Sequence, residues 1–156
     1  MYKVLMVCLG NICRSPLAQG ILEDLAKKKG LSIKVDSAGT GSWHIGSLPD
    51  QRSIEVAKIH NIDISTQKAR QFNTKDFKCY DKIYAMDTMN YSNLIKLCSN
   101  KIECEKVELI LKNINPEERL SVPDPYYDND GFENVYKLLK SACDEIIKKI
   151  PTNGKR

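Results

Sequence analysis

Cys8 and Arg14 bracket the stretch VCLGNICRSP, with five residues between them, directly after an apolar run that begins at Tyr2. The two side chains are chemically complementary. A thiolate is a strong nucleophile, and a guanidinium is a permanently charged planar fork that fits two oxygens of a phosphate. The residues between them are Leu9, Gly10, Asn11, Ile12 and Cys13, and a helix capped at Ser15 follows. Backbone N–H groups of such a loop converge on one point, and the helix dipole adds positive charge there, which makes an anion cradle. Gly10 and Asn11 tolerate the positive φ that so tight a turn needs. An arginine at a helix N-terminus is electrostatically unfavourable unless an anion sits beside it. The same field favours Cys8 as thiolate, so the stretch suits in-line attack on a phosphoryl group through a thiophosphate intermediate.

Transfer of this kind needs a proton for the leaving oxygen and later a base for water. The candidate is Asp124 in SVPDPYYDNDGFE, residues 121–133, a segment rich in turn residues ahead of the last helix. Pro123 and Pro125 restrict the backbone on both sides of it and give its carboxylate a defined place. From this segment alone, a solvated surface turn is an equal reading. Tyr126 and Tyr127 either wall a site or pack.

The elements that must position these groups alternate. Residues 2–7 read as a strand, and residues 31–35 alternate with period two as a second. Between them Ser15 stands as N-cap and Pro16 at the first helical position. Leu17, Ile21, Leu22 and Leu25 line one face, and Gly30 ends the helix. Asp50 caps a helix through Ile59, Asn73 with Asp76 closes a short turn, and residues 82–86 read as a buried strand. Residues 88–97 are helical in pattern, residues 107–111 form a fourth strand, and residues 132–149 carry a helical stripe of Val135, Tyr136, Leu139, Ala142, Ile146 and Ile147. The expected fold is α/β, a three-layer α/β/α arrangement around a four-stranded parallel sheet, with the phosphate-binding loop after the first strand. Residues 1–156 are the size of one domain.

The bulk properties exclude more than they assign. A net charge of +4 from 24 basic and 20 acidic residues spread along the chain is compatible with anionic substrates and does not resemble a nucleic-acid groove. There is no signal-peptide h-region and no apolar run long enough for a membrane span, so a cytoplasmic protein without membrane attachment is expected. The six cysteines are irregularly spaced and read as reduced thiols. With His44 and His60 the only histidines and no Cys-x-x-Cys pair, neither a metal nor a cofactor is expected.

VCLGNICRSP together with the distant DPYYDNDGFE closely resembles the low-molecular-weight protein tyrosine phosphatases, and VDSAGTGSW and KARQFNTKDF between them follow that family's pattern. The resemblance runs over nearly the whole chain. It implies a cysteine phosphatase acting on phosphotyrosine-containing proteins or peptides, and on small aryl phosphates, with inorganic phosphate as product. On the matching positions Cys8 is the nucleophile, Arg14 the phosphate-binding arginine and Asp124 the general acid. Ser15 matches a serine that stabilises the departing thiolate, and Asn11 the asparagine that holds the loop in shape. Cys13 matches a second loop cysteine able to form a reversible disulfide with the oxidised nucleophile. Trp43 and Tyr126 match the walls of a slot for a phenyl ring, and Tyr126 and Tyr127 match tyrosines phosphorylated in some relatives.

This chain departs from the animal members at two places. Gln67 stands where a histidine often joins a network with Asn11 and Ser37; an amide can donate and accept in its place. The loop after Asp128 is one residue shorter. His44, beside Trp43, reads as a solvated surface histidine. Three rivals share parts of the pattern: a thioredoxin-coupled arsenate reductase, a phosphocysteine carrier and a catalytically silent phosphotyrosine-binding module. Cys79 has no partner cysteine at the spacing arsenate reduction needs, and Asp124 with Arg14 favours turnover over a stable phosphoenzyme or silent binding.

Overall fold

In a computed structural model, which describes residues 1–151, four parallel strands form a sheet in the order β2-β1-β3-β4. The strands are β1 (Tyr2–Cys8), β2 (Ile33–Gly39), β3 (Lys82–Ala85) and β4 (Val107–Leu109). The helices are α1 (Arg14–Lys28), α2 (Gln51–Ile59), α3 (Asp76–Cys79), α4 (Thr88–Leu97), α5 (Lys101–Glu105) and α6 (Gly131–Lys149), with a 3-10 turn at Ile110–Asn113. Among the described residues no helix is long and apolar enough to cross a membrane.

Alternation along β1 divides the core. Val4, Met6 and Cys8 face a cluster that includes Leu17, Ile21 and Leu22 of α1, Val56 and Ala57 of α2, and Leu139, Cys143 and Ile146 of α6. Leu5 and Val7 face Phe77 and Tyr80 at α3 and Leu94 of α4 on the other side. β1 is buried on both faces, which is why it reads as a continuous apolar run rather than an alternating one.

The expected helix termini hold in two places. Gly30, at φ 69°, ends α1; its N–H donates to Lys27 O, and the Leu31 N–H donates to Ala26 O. These bonds satisfy carbonyls that the last turn would leave open. Asp50 caps α2 by accepting the Arg52 N–H at 2.9 Å.

Other expectations are corrected. The helix α1 begins at Arg14, with Cys13 at its cap position, so Ser15 already lies inside the first turn and its hydroxyl is free for another partner. The second strand runs past Val35 to Gly39, because residues 36–39 pair in register with residues 5–8 of β1 despite lacking an apolar pattern. The fourth strand stops at Leu109, where Asn113 Nδ2 donates to Ile110 O and closes the 3-10 turn. Cys98 and Cys104 are joined by a disulfide, which overturns the reading of six reduced thiols; the chain folds back between α4 and α5 and brings their Cα atoms within 5.6 Å. Cys8, Cys13, Cys79 and Cys143 are free.

Candidate active site

Parallel register puts the carboxyl ends of β1, β2 and β3 at one edge, where Cys8 pairs with Gly39 and Val7 with Ala85. Ligands in open parallel sheets bind beyond this edge. A cavity of about 240 Å³ opens there, lined by Cys8, Leu9, Gly10, Ile12, Cys13, Arg14, Trp43, His44, Asp124, Tyr126 and Tyr127. Every residue that the sequence nominated for attack, phosphate binding, proton transfer or slot wall therefore meets in one place. Asn11 and Ser15 stand behind the loop.

The loop is held from behind by an unusual residue. Asn11 has φ 58°, a conformation that disfavours residues with a Cβ, and is 2% exposed. Its side chain anchors that geometry: Nδ2 donates to Ser15 Oγ at 2.8 Å and to Ser37 Oγ at 2.9 Å, while Oδ1 accepts the Arg70 N–H at 2.9 Å. Its own backbone N–H donates to Cys8 Sγ at 3.3 Å. Ser15 Oγ lies 3.0 Å from Cys8 Sγ. Because Asn11 donates to Ser15 Oγ, the hydroxyl proton of Ser15 is free to point at the sulfur.

The first turn of α2 grips the loop's carbonyls. The Asp50 N–H donates to Ile12 O at 2.8 Å, and Ser53 Oγ donates to Cys13 O at 2.9 Å.

Arg14 is 2% exposed and its placement is specified from outside the loop. Nη1 donates to Asp87 Oδ2 at 2.6 Å and to Val122 O at 3.0 Å, and Nη2 lies 3.7 Å from Asp124 Oδ2. Burial alone would lower the Arg14 pKa, but Cys8, Asp87 and Asp124 more than offset it and leave it raised. Burial pushes the Cys13 thiol well up, so Cys13 stays protonated beside its neighbour. The Asp124 side chain is 45% exposed, and its Oδ1 accepts the Tyr126 N–H at 3.1 Å, the local turn expected of an aspartate between prolines.

The walls are aromatic. Trp43 is 72% exposed and its ring lies on Gly41, where any Cβ would strike it. Tyr126 and Tyr127 meet edge to face at 4.9 Å. His44 is half-buried against Gly10, with Cδ2 3.0 Å from where a Cβ would stand, so it lines the mouth of the cavity instead of lying free at the surface.

Three residues escaped the sequence reading. Asp87 binds Arg14 across 73 positions of sequence; the signal for it was its place just past the end of a buried strand. Gln19 Oε1 accepts from Ser37 Oγ at 2.7 Å and completes the network behind Asn11. Ser53 carried no motif. Gln67 does not take the histidine's part: Nε2 donates to Pro16 O at 3.1 Å, and Oε1 is buried without a partner.

The model of the family described as low molecular weight phosphotyrosine protein phosphatase matches residues 3–156. The low molecular weight protein-tyrosine-phosphatase YfkJ of Bacillus subtilis is 41% identical over 152 residues, covering 96% of each chain. A protein tyrosine phosphatase of Entamoeba histolytica, solved with Hepes in its active site, superposes with a TM-score of 0.89 at 36% identity, covering 96% of each chain. A Drosophila arginine phosphatase superposes with a TM-score of 0.88 at 31% identity, covering 97% of this chain and 99% of the other. The chain belongs to the low molecular weight phosphotyrosine protein phosphatase family.

Proposed function

We propose that the cavity hydrolyses phosphotyrosine, and small aryl phosphates, through a phosphate ester formed on Cys8. In the first step the Cys8 thiolate attacks phosphorus in line and the bond to the aryl oxygen breaks, while the Asp124 carboxyl gives that oxygen its proton. Arg14 and the loop N–H groups other than that of Asn11, which serves Cys8 Sγ, hold the non-bridging oxygens as charge develops on them. In the second step the Asp124 carboxylate takes a proton from water, the water oxygen attacks phosphorus, and the sulfur–phosphorus bond breaks. The Ser15 hydroxyl and the Asn11 N–H receive the thiolate, and inorganic phosphate leaves.

The observation that carries this reading is the convergence of Cys8, Arg14 and Asp124, from distant parts of the chain, on one cavity with aromatic walls at Trp43 and Tyr126. A slot of that kind suits a phenyl ring and places its phosphate at the loop. Tyr127, 95% exposed, is open to a kinase, which supports regulation there and at neighbouring Tyr126. Cys13 shares the cavity with Cys8. A sulfenic acid formed on Cys8 by peroxide would condense with the Cys13 thiol, releasing water and forming a reducible disulfide. The reading places this single domain in the cytoplasm, where the Cys8 thiolate is kept reduced and a disulfide such as Cys98–Cys104 is open to reduction, and has it act on phosphotyrosine proteins and not on nucleic acid or membrane.

The test is hydrolysis of p-nitrophenyl phosphate and of phosphotyrosine and phosphoserine peptides, with phosphoarginine alongside and EDTA throughout. The wild type is expected to turn over the aryl ester and the phosphotyrosine peptide, leave phosphoserine untouched and ignore EDTA. Cys8→Ser is expected to abolish turnover and keep phosphate binding. Preferential hydrolysis of phosphoarginine, or more than about a tenth of the activity surviving in Cys8→Ser, would contradict the reading.

A further inference from the structure

Arg52 belongs to the same α2 turn that holds the phosphate loop, yet the reaction sequence gives it no part. Its position is electrostatically unfavourable, since a cation near a helix N-terminus opposes the dipole. Asp50 offsets this: Nε of Arg52 donates to Asp50 Oδ1 at 2.9 Å and Nη2 to Oδ2 at 2.8 Å. That bidentate pair fixes the plane of the guanidinium and leaves Nη1 directed away from the helix, where it donates to Asn129 Oδ1 at 2.6 Å. The guanidinium carbon lies 4.7 Å from the ring centroid of Phe132, in the first turn of α6, and 5.7 Å from that of Tyr126. Arg52 thus reaches the segment that carries Asp124 at three points that follow the acid, Tyr126, Asn129 and Phe132.

Other bonds of that segment are mostly internal. The Tyr126 N–H donates to Asp124 Oδ1, the Asp128 N–H to Pro125 O and the Gly131 N–H to Asp128 O. They shape the segment without placing it against the phosphate loop. Upstream of Asp124 the segment is held at Ser121 and Val122: the Thr88 N–H donates to Ser121 Oγ, the Val122 N–H to Met86 O, and Arg14 Nη1 to Val122 O at 3.0 Å, while Asp124 itself approaches Arg14 only to 3.7 Å, so the part that follows Asp124 needs its own anchor. Asp50 meanwhile donates its N–H to Ile12 O. A continuous path therefore runs from the phosphate loop through Asp50 and Arg52 to Asn129, Tyr126 and Phe132.

We propose that Arg52 is a positioning residue for proton transfer: it clamps the segment bearing Asp124 to the helix turn that holds the phosphate loop, and so sets the carboxyl over the leaving oxygen. This rests on Asp124 being the general acid. Lysine cannot replace it, because one ammonium cannot pair with both Asp50 oxygens, reach Asn129 and stack on two rings. The Arg52 side chain is about a third exposed, so its removal should shift melting little while it misplaces the acid.

The experiment compares kcat/KM on phenyl phosphate, whose leaving group needs a proton, with kcat/KM on p-nitrophenyl phosphate, whose leaving group needs it far less. Wild type, Arg52→Ala, Arg52→Lys, Asp124→Asn and the double variant R52A/D124N are measured together with their melting temperatures. Arg52→Ala is expected to lose about tenfold on phenyl phosphate and less than about twofold on p-nitrophenyl phosphate. Arg52→Lys should show the same preference, and Arg52→Ala should add nothing once Asp124 is already Asn. If Asp124→Asn discriminates between the esters but the Arg52 variants lose equally on both, or lose as much in the Asp124→Asn background, the clamp is refuted alone. If Asp124→Asn itself treats both esters alike, the acid assignment fails and the clamp falls with it.

Discussion

Removing the Asp87 carboxylate tests how Arg14 is held. The pair is buried on the Arg14 side and half-buried on the Asp87 side, with side-chain exposures of 3% and 20%, and its contact is 2.6 Å. Breaking such a pair from one side leaves an uncompensated charge and typically destabilises by about 3–5 kcal/mol. Asp87 also caps α4, accepting the Asn90 N–H at 2.7 Å through its other oxygen, and loss of a cap adds about 1 kcal/mol. For a chain of this size the ion-pair part alone corresponds to a fall in Tm of roughly 6–20 °C in Asp87→Ala. Asp87→Asn keeps an oxygen for the cap and removes the charge, so the difference between the two variants isolates the cap.

The same substitution has a functional signature. Without Asp87, the guanidinium retains Val122 O and lies near Asp124, but its closest carboxylate, at 2.6 Å, has gone. Bound inorganic phosphate would then supply the missing anion. Phosphate should raise the Tm of Asp87→Ala by more than it raises that of the wild type, by ligand linkage. In steady-state assays kcat/KM should fall about tenfold or more, because a misaimed fork no longer holds the equatorial oxygens in the transition state. Calorimetric or dye-monitored melting with and without phosphate, alongside p-nitrophenyl phosphate kinetics, decides the matter. An Asp87→Ala protein that melts within a degree or two of wild type, or that gains no more from phosphate than wild type does, would refute this account of Arg14.

Ser15→Ala should leave the first step intact and slow the second, since its hydroxyl faces the departing sulfur at 3.0 Å; stopped-flow traces should show a burst of nitrophenolate followed by a reduced steady rate, and an unburst trace with a uniform fall would contradict the role. Burial together with the hydrogen bond to Asp36 raises the Tyr80 hydroxyl to about 12. A folded-state pKa above the unfolded value near 10 means stability that is complete below about pH 10 and lost between about pH 10 and 12. The stability difference between wild type and Tyr80→Phe should therefore be constant from pH 7 to 9 and decline above about pH 10 in urea titrations; a difference that persists undiminished at about pH 12 would contradict the shift.

Local chemistry made much of the molecule readable. Gly30 and Asp50 announced helix ends because each solves a problem confined to one turn, and the stripe of α6 follows from burial of one face. Ser15 misled because serine before proline is a capping pattern; here the hydroxyl serves Cys8 and Asn11, and the helix starts two residues earlier. Residues 36–39 were missed as strand because they are small or polar, chosen for closeness to the phosphate loop: a Cβ on Gly39 would come within 2.7 Å of Leu9 O. The helix α5 is too short to show a period, although Asn100 caps it by accepting the Glu103 N–H.

The site divides in the same way. Cys8, Arg14 and the loop between them lie in one stretch, where spacing carries the chemistry. Asp87 and Gln19 meet their partners only when the sheet forms, and no spacing encodes those contacts; Arg52 pairs locally with Asp50 but reaches Asn129 and Phe132 only in the folded chain. The Cys98–Cys104 pairing likewise depends on how the chain returns after α4.

The central claim is a covalent phosphate on Cys8. Wild type and Ser15→Ala, quenched in acid within the first turnover of p-nitrophenyl phosphate and mapped by peptide mass spectrometry, should carry a phosphate adduct on the peptide containing Cys8, more abundant in Ser15→Ala and absent in Cys8→Ser. Turnover without any adduct, or an adduct on another residue, would contradict it.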